Sequence, residues 1–313
     1  MTKKIFLTAL VCLISLAIFS VADAKKSEYT WRLDGNASAD LPKHFRLMTD
    51  DWQNTVHGKE PTRDGLDYLF ASASAQPSEA AMTTLYKKLK EIAPSDYEIY
   101  IVDLRQESHG FANSLPVSWH AKYNNGNANK SVAEIMKDER KRLGDTRGTE
   151  IFFQALGKED SQNLKSIAIV PRVIRTEEDV ATDVGFTYVR LAAADMQFPS
   201  PNTVEEFMNF VATVPDNSWL HFHCQGGQGR TTTFLAMYDM MRNPDISFED
   251  ICKRQYLLGG TNLLLEPVGD DWYSTMARAR AKKLRIFYEY MQGVHSKEVG
   301  SSWSLYLESK LSE

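Results

Sequence analysis

The run Trp219-Leu220-His221-Phe222-His223-Cys224-Gln225-Gly226-Gly227-Gln228-Gly229-Arg230-Thr231 leaves an apolar strand and enters a helical stretch, Thr232-Thr233-Phe234-Leu235-Ala236-Met237. Its spacing is Cys-x5-Arg, with glycines at 226, 227 and 229. A phosphate dianion is held by converging backbone N–H groups, and glycines let the chain curl tightly enough to aim them inward. The following helix adds the positive end of its dipole. That dipole and Arg230 both favour the thiolate of Cys224, the nucleophilic form. Arg230 can grip two equatorial oxygens of a phosphoryl group at once. Gln225, Gly226, Gly227, Gln228, Gly229 and Arg230 thus make a phosphate-binding loop. Thr231 is expected to donate a hydroxyl hydrogen to the sulfur and help it leave in a second step. His221 and His223 read as satisfied strand histidines, since no carboxylate or third histidine follows at metal-ligand spacing.

A thiolate phosphatase also needs an acid for the leaving alkoxide, on a loop before the cysteine. Asp195 is the candidate, in Leu191-Ala192-Ala193-Ala194-Asp195-Met196-Gln197-Phe198-Pro199. It follows a strand, precedes a proline-rich turn, and leaves room for one helix and one strand ahead of Cys224. Asp216 sits too close to the strand leading to Cys224 to serve. A rhodanese or an arsenate reductase also cradles a cysteine in a loop, but the full strand–glycines–arginine–helix context fits phosphoryl transfer best.

On either side of this run, helices and strands alternate. Ser78 to Ile92 carries Met82, Leu85, Tyr86, Leu89 and Ile92 on one face, a helical stripe. Ile99–Val102 reads as a buried strand, and Asn124 to Asn129 as a polar loop. Ser131 with Glu134 is a capping box that opens a charged helix, which Gly144 is expected to close. Glu150–Ala155 and Ser166–Arg175 are strand-like, the second interrupted by Pro171 as on an edge strand. A short capped helix over Thr176 to Gly185 precedes a strand from Phe186 to Arg190. Helices are expected around 204–211, 230–242, 247–257 and 272–291. The pattern predicts an α/β fold with helices covering a mainly parallel sheet, and a strand-rich insertion at about 121–175.

The chain of 313 residues has 36 Lys and Arg against 41 Asp and Glu, a net charge of -5. With 43 % apolar and 25 % charged residues, composition excludes a disordered chain or a multi-span membrane protein. The mild acidity argues against nucleic-acid partners. Lys3 and Lys4, the uncharged stretch Ile5 to Ala22 and the small residues Ala22 and Ala24 read as a cleaved signal peptide over 1–24. The expectation is export to the periplasm or beyond, with no stable membrane anchor afterwards. Residues 25–313 would form the catalytic domain. Of its two cysteines, Cys224 is the nucleophile and Cys252 reads as core packing, with a pairing to oxidised Cys224 as the alternative.

The residues resemble the protein-tyrosine-phosphatase-like phytases, exported bacterial myo-inositol hexakisphosphate phosphohydrolases. The resemblance rests on the Trp219–Thr232 run and extends to Trp31-Arg32-Leu33-Asp34, Phe45-Arg46, Asp103-Leu104-Arg105-Gln106-Glu107-Ser108-His109-Gly110, Pro116-Val117-Ser118-Trp119, Arg254-Gln255, Gly259-Gly260 and Trp303-Ser304. It implies a tyrosine-phosphatase-like core with a small inserted β-barrel. Cys224 matches the family nucleophile, Arg230 the phosphate-binding arginine, Asp195 the general acid and Arg46 a substrate-contacting arginine near the pocket mouth.

The chain also departs from the family. Asn124 stands where an acidic residue is expected, and Lys158, kept as a candidate substrate contact, is followed by Glu159-Asp160 in place of basic residues. Gly269, Tyr273 and Ala277 replace family lysines and a tyrosine, leaving Arg278 and Arg280 as substitutes. The basic run Arg278, Arg280, Lys282, Lys283 and Arg285 otherwise reads as a solvated face, and Arg105 or Glu107 as a brace for the phosphate loop. The expected activity is stepwise removal of phosphate from a small polyanionic inositol phosphate, through a cysteinyl-phosphate and with no metal or cofactor. A protein-tyrosine or phosphoinositide phosphatase is the alternative enzyme, and a silent phosphate-binding module the non-catalytic one.

Overall fold

The computed structural model describes residues 29–155 and 165–312. The leader expected over 1–24, and Lys158 with Glu159-Asp160, lie outside the described residues. Along the chain, β1 (Tyr29–Leu33), β2 (Arg46–Leu47) and β3 (Ala71–Ser74) precede α1 (Glu79–Ile92) and β4 (Glu98–Arg105). Then come β5 (His109–Ala112), β6 (Leu115–Ala121), α2 (Val132–Asp145), β7 (Ile151–Phe153), β8 (Ile167–Ile169) and β9 (Ile174–Arg175). The second half runs α3 (Glu177–Val184), β10 (Thr187–Ala193), α4 (Pro201–Thr213), β11 (Ser218–His223), α5 (Gly229–Arg242), α6 (Phe248–Leu257), α7 (Trp272–His295) and α8 (Trp303–Ser312). None of the described helices is long and apolar enough to cross a membrane.

The central sheet has the order β10-β4-β11-β3-β2. β10, β4, β11 and β3 are parallel, and β2 closes the edge antiparallel to β3. The α/β architecture with a mainly parallel sheet is therefore as the alternation of elements predicts. All six residues of β11 are buried, as a parallel strand covered on both faces should be. Above it, α5 is buried from Arg230 through Met240, so it runs through the core instead of over it. The rings of Phe207, Phe222 and Phe234 meet edge to face beneath it.

The second sheet departs from expectation. Its order is β1-β6-β5-β9, so β1, β5 and β6 come from outside 121–175. Within that segment α2 takes the middle, leaving the short hairpin β7–β8 and β9. Gln154 joins this hairpin to β1 through backbone bonds with Trp31 and Leu33. Among the described residues no ladder links β8 to β9, so the small inserted barrel expected from the resemblance is not closed. The strand-rich unit is a composite of distant segments, because a few three-residue strands cannot bury a core alone.

Local chemistry sets most boundaries. Ser78 caps α1, and the reciprocal Ser131–Glu134 box starts α2 as expected. Gly144 does not end α2, which runs on to Asp145 and is finished by Thr146 bonding back to Leu143 O. Gly185, at φ 116, does close α3. Helices α1, α2, α3, α4, α6 and α7 each have a capping side chain, whereas α5 has none. Its N-cap, Gln228, offers the first amides no side-chain acceptor.

Candidate active site

β11 carries Cys224 to the C-terminal edge of the sheet, and the chain turns through Gln225–Gln228 into α5. Gly227 adopts φ +67, and a Cβ there would lie 2.4 Å from Ala75 N and 2.5 Å from Ser74 C. Only glycine fits that approach to the neighbouring backbone. Three bonds hold the curl from outside. Gln76 N donates to Gln225 O at 3.2 Å, Arg46 Nη1 to Gly227 O at 2.9 Å, and Gln228 Nε2 to Gly259 O at 3.1 Å.

Arg230 leaves the first turn of α5 and is gripped from behind by Glu107. Nη1 donates to Oε2 at 2.7 Å and Nη2 to Oε1 at 3.0 Å. Glu107 also accepts from Arg105 Nε at 2.8 Å, and Arg105 continues to Asp34 and Gln76 at 2.8 Å each. The expected brace thus exists, and it acts through Arg230. Burial opposes the charge on Glu107, but Arg230 and Arg105 hold its carboxyl well below the usual range. Leaving such a pair half-occupied costs about 3–5 kcal/mol, so Glu107 is part of what keeps Arg230 charged and aimed. The Nε of Arg230 stays unpaired by hydrogen bonds and lies 3.3 Å from Asp195 Oδ1.

Asp195 follows β10, whose bulge between Arg190 and Ala193 turns the chain toward the loop. Its side chain is about one-third exposed, and its Oδ1 accepts from Met196 N at 3.0 Å. Phe198, packed on Trp303 at 6.1 Å between centroids, anchors the far side of this segment. Two places in the chain, the Asp195 turn and the Cys224–Arg230 loop, therefore meet at Arg230, which feels the charges of both Asp195 and Cys224.

A family model for protein-tyrosine-phosphatase-like phytases, described by inositol hexakisphosphate, matches residues 102–242. A phytase of that type from Bdellovibrio bacteriovorus is 31 % identical, with 89 % of this chain and 94 % of that chain aligned at a TM-score of 0.66. The chain belongs to this family. The similar myo-inositol phosphatase of Mitsuokella multacida, solved with myo-inositol-(1,3,4,5)-tetrakisphosphate, is 40 % identical at a TM-score of 0.81, over 89 % of this chain. An effector protein, hopD2, of Pseudomonas syringae pv. tomato is 29 % identical over 204 residues, 61 % of this chain. This chain spans 49 % of the Mitsuokella protein and 42 % of the effector.

Within this phytase-like frame, several expected roles shift. Arg46 is not at the pocket mouth: the pairing of β2 with β3 buries it under the loop, where it binds Gly227 O and Thr232 Oγ1. Burial pulls Arg46 down to about 10, against the opposing pull of Cys224. Arg278 also turns away. It donates to Pro267 O at 2.7 Å and lines a cavity of about 570 Å³ with Phe248, Leu263, Lys282 and Arg285, which none of the phosphate-loop residues borders. Two residues further along α7, and so round its axis, Arg280 is buried with Nη1 only 3.0 Å from where a Cβ on Gly229 would stand. Arg280 is the substitute that reaches the site. Thr231 Oγ1 is buried without any hydrogen bond, so the bond to the sulfur is not formed.

His221 bonds Ser72 Oγ at 2.8 Å and Ser74 Oγ at 3.0 Å, the satisfied strand histidine expected. His223 is not satisfied in the same way: neither ring nitrogen makes a hydrogen bond, although Nε2 lies 2.9 Å from Glu177 Oε1. Cys252 is buried in the core, where burial pushes its thiol up and makes it inert. Asp103, His109 and Glu177 bring ligand atoms within 4.8 Å of one another. Arg190 Nε is 3.2 Å from Asp103, and His109 is held protonated, so these groups form an ion network and not a ready ligand set. Sequence reading missed Gln76 and Glu177. Glu177 shows only as an acid in the first turn of α3, a position that helix dipoles favour anywhere.

His109 gives the network a pH signature. Burial and Arg105 oppose its charge, but Asp103 and Glu139 outweigh them and the imidazole is pushed up to about 10 from 6.5. A raised value stabilises the fold fully below pH 6.5, and that stability is lost as pH rises through about 10. Melting temperatures measured from pH 6 to 10 should fall across that window, and His109→Gln should flatten the fall. An unchanged slope in the variant would assign the alkaline loss to other groups.

Proposed function

We propose that this protein is a cysteine-dependent phosphomonoesterase that removes phosphates one at a time from myo-inositol polyphosphates. The observation that carries the reading is the convergence of Cys224, Arg230 and Asp195 around an uncapped α5, with Glu107 locking Arg230 from behind. Cys224 Sγ attacks phosphorus in line, the S–P bond forms, and the P–O bond to the inositol breaks. Asp195 gives its proton to that leaving oxygen. Water then attacks the cysteinyl-phosphate, Asp195 takes the proton from the water, and the thiolate departs with phosphate released. Arg230 and the loop amides carry the charge that develops on the phosphoryl oxygens. Residues 1–24 support export of the chain before it meets its substrate.

Arg280 supports the substrate class. It is 6 % exposed, beside Gly229, and burial lowers its affinity for a proton while Asp195 partly restores it. A second phosphate next to the one being cleaved is the natural partner for such a guanidinium. Arg280→Ala should raise KM for inositol hexakisphosphate roughly tenfold, the weight of a charge-assisted contact, and leave KM for p-nitrophenyl phosphate nearly unchanged. Rates on inositol hexakisphosphate, a phosphotyrosine peptide and a phosphoinositide, measured side by side, test the reading. A higher kcat/KM on the peptide would sink it in favour of a tyrosine phosphatase.

A further inference from the structure

Asp195 has a neutral neighbour in Asn124. The chain leaves β6 at Ala121 and bends through Tyr123 and Asn124, both in the left-handed region at φ 57 and φ 54. Asparagine tolerates that conformation better than most residues. The bend is pinned by the ring of Tyr123, stacked on Trp272 at 4.3 Å and 17°. It buries Asn124, whose Nδ2 lies 3.4 Å from Asp195 Oδ2. The Oδ1 of the same amide is buried with no hydrogen-bond partner.

We infer that Asn124 is a positioning residue for Asp195, an amide that holds the carboxyl in both of its protonation states. The inference rests on Asp195 being the acid and base of the proposed reaction. A carboxamide offers a donor and an acceptor side by side. As a carboxylate, Asp195 accepts from Nδ2. As an acid, its O–H donates to Oδ1 after a half-turn of the amide, which gives the orphaned oxygen its partner. The other groups around Asp195 are donors or cations: Arg230 Nε from α5 at 3.3 Å and the N–H of Met196 at 3.0 Å, with Arg280 from α7 and His120 from β6 near enough to feel its charge. Among the described residues facing Asp195, Asn124 is thus the neutral acceptor available to the acid form, the form that must protonate the leaving oxygen. An acidic residue here would act differently, by like charge.

The test compares pH profiles of kcat on inositol hexakisphosphate and on p-nitrophenyl phosphate for the full chain, Asn124→Leu, Asn124→Asp and Asp195→Asn. Asn124→Leu should lower kcat on the inositol substrate about tenfold and move its alkaline limb down by roughly one pH unit, with a smaller loss on the nitrophenyl ester. Asn124→Asp, which keeps the shape of the side chain, should move the limb upward by about one unit. Competitive inhibition by inorganic phosphate should be unchanged in both, showing that the loop is intact. If both variants inhibit normally and keep the wild-type limb, the inference is overturned. If Asp195→Asn itself keeps the limb, the acid assignment has failed and this inference falls with it. Loss of the limb in Asp195→Asn with a fixed limb in both Asn124 variants overturns the inference alone.

Discussion

Cys224→Ser is expected to stop turnover, with kcat falling on the order of 10⁴-fold or more, while inositol hexakisphosphate still binds. A serine hydroxyl at this position has no general base beside it. The Nε2 of His223 faces Glu177 at 2.9 Å, and Asp195 must hold its proton for the leaving group. The anion site, by contrast, is made of parts that the substitution leaves alone. Gln76, Arg46 and Gln228 hold the loop backbone, and Glu107 holds Arg230. Calorimetric titration of the variant should therefore give a dissociation constant within a few-fold of the wild-type KM. Turnover above about one per cent of wild type would refute attack by the cysteine sulfur.

Asp195→Asn should lower kcat on inositol hexakisphosphate by on the order of a hundredfold or more, the usual weight of acid–base catalysis. The wild-type rate should fall as pH rises past mild acidity, and the variant should lose most of that fall because no carboxyl remains to titrate. A nitrophenolate leaves without much help from a proton, so the loss on p-nitrophenyl phosphate should be smaller. The substitution also removes the negative partner 3.3 Å from Arg230 Nε, which the incoming phosphate would replace in any case. KM is thus expected to change less than kcat. An equal loss on both substrates with the wild-type pH profile would make Asp195 structural.

Several elements around the phosphate loop were legible because each announced itself locally, while their order in the sheet was not. Ser78, Ser131 and Thr176 cap helices by bonding amides three residues on, and that chemistry needs no distant partner. The buried strands β4 and β11 each hold a short, mostly apolar stretch, Ile99–Val102 and Trp219–Phe222, that could be read. β3, Ala-Ser-Ala-Ser, was not legible, since small residues carry no strand preference and become a strand only by pairing with β11. β5 and α8 were missed for a similar reason. α8 is organised around Trp303, whose burial against Phe287 and Tyr290 is a property of the assembled core.

Within the site the division is the same. The sequence alone pointed to an oxyanion site: a cysteine, five residues, an arginine and three glycines lie between a strand and a helix, the arrangement that brings loop amides and a helix end to one anion. It also placed Asp195 ahead of the loop on a turn that prolines shape. Which cations meet the ligand was decided by tertiary structure. Arg46, Arg278 and Arg280 are alike as sequence, yet one braces the loop from below, one lines a separate cavity and one faces Gly229. Glu107 on Arg230, Glu177 against His223 and Asn124 against Asp195 join residues 123, 46 and 71 positions apart. Charge–charge and hydrogen-bond energies depend on distance and burial, and a linear chain specifies neither until its core has packed.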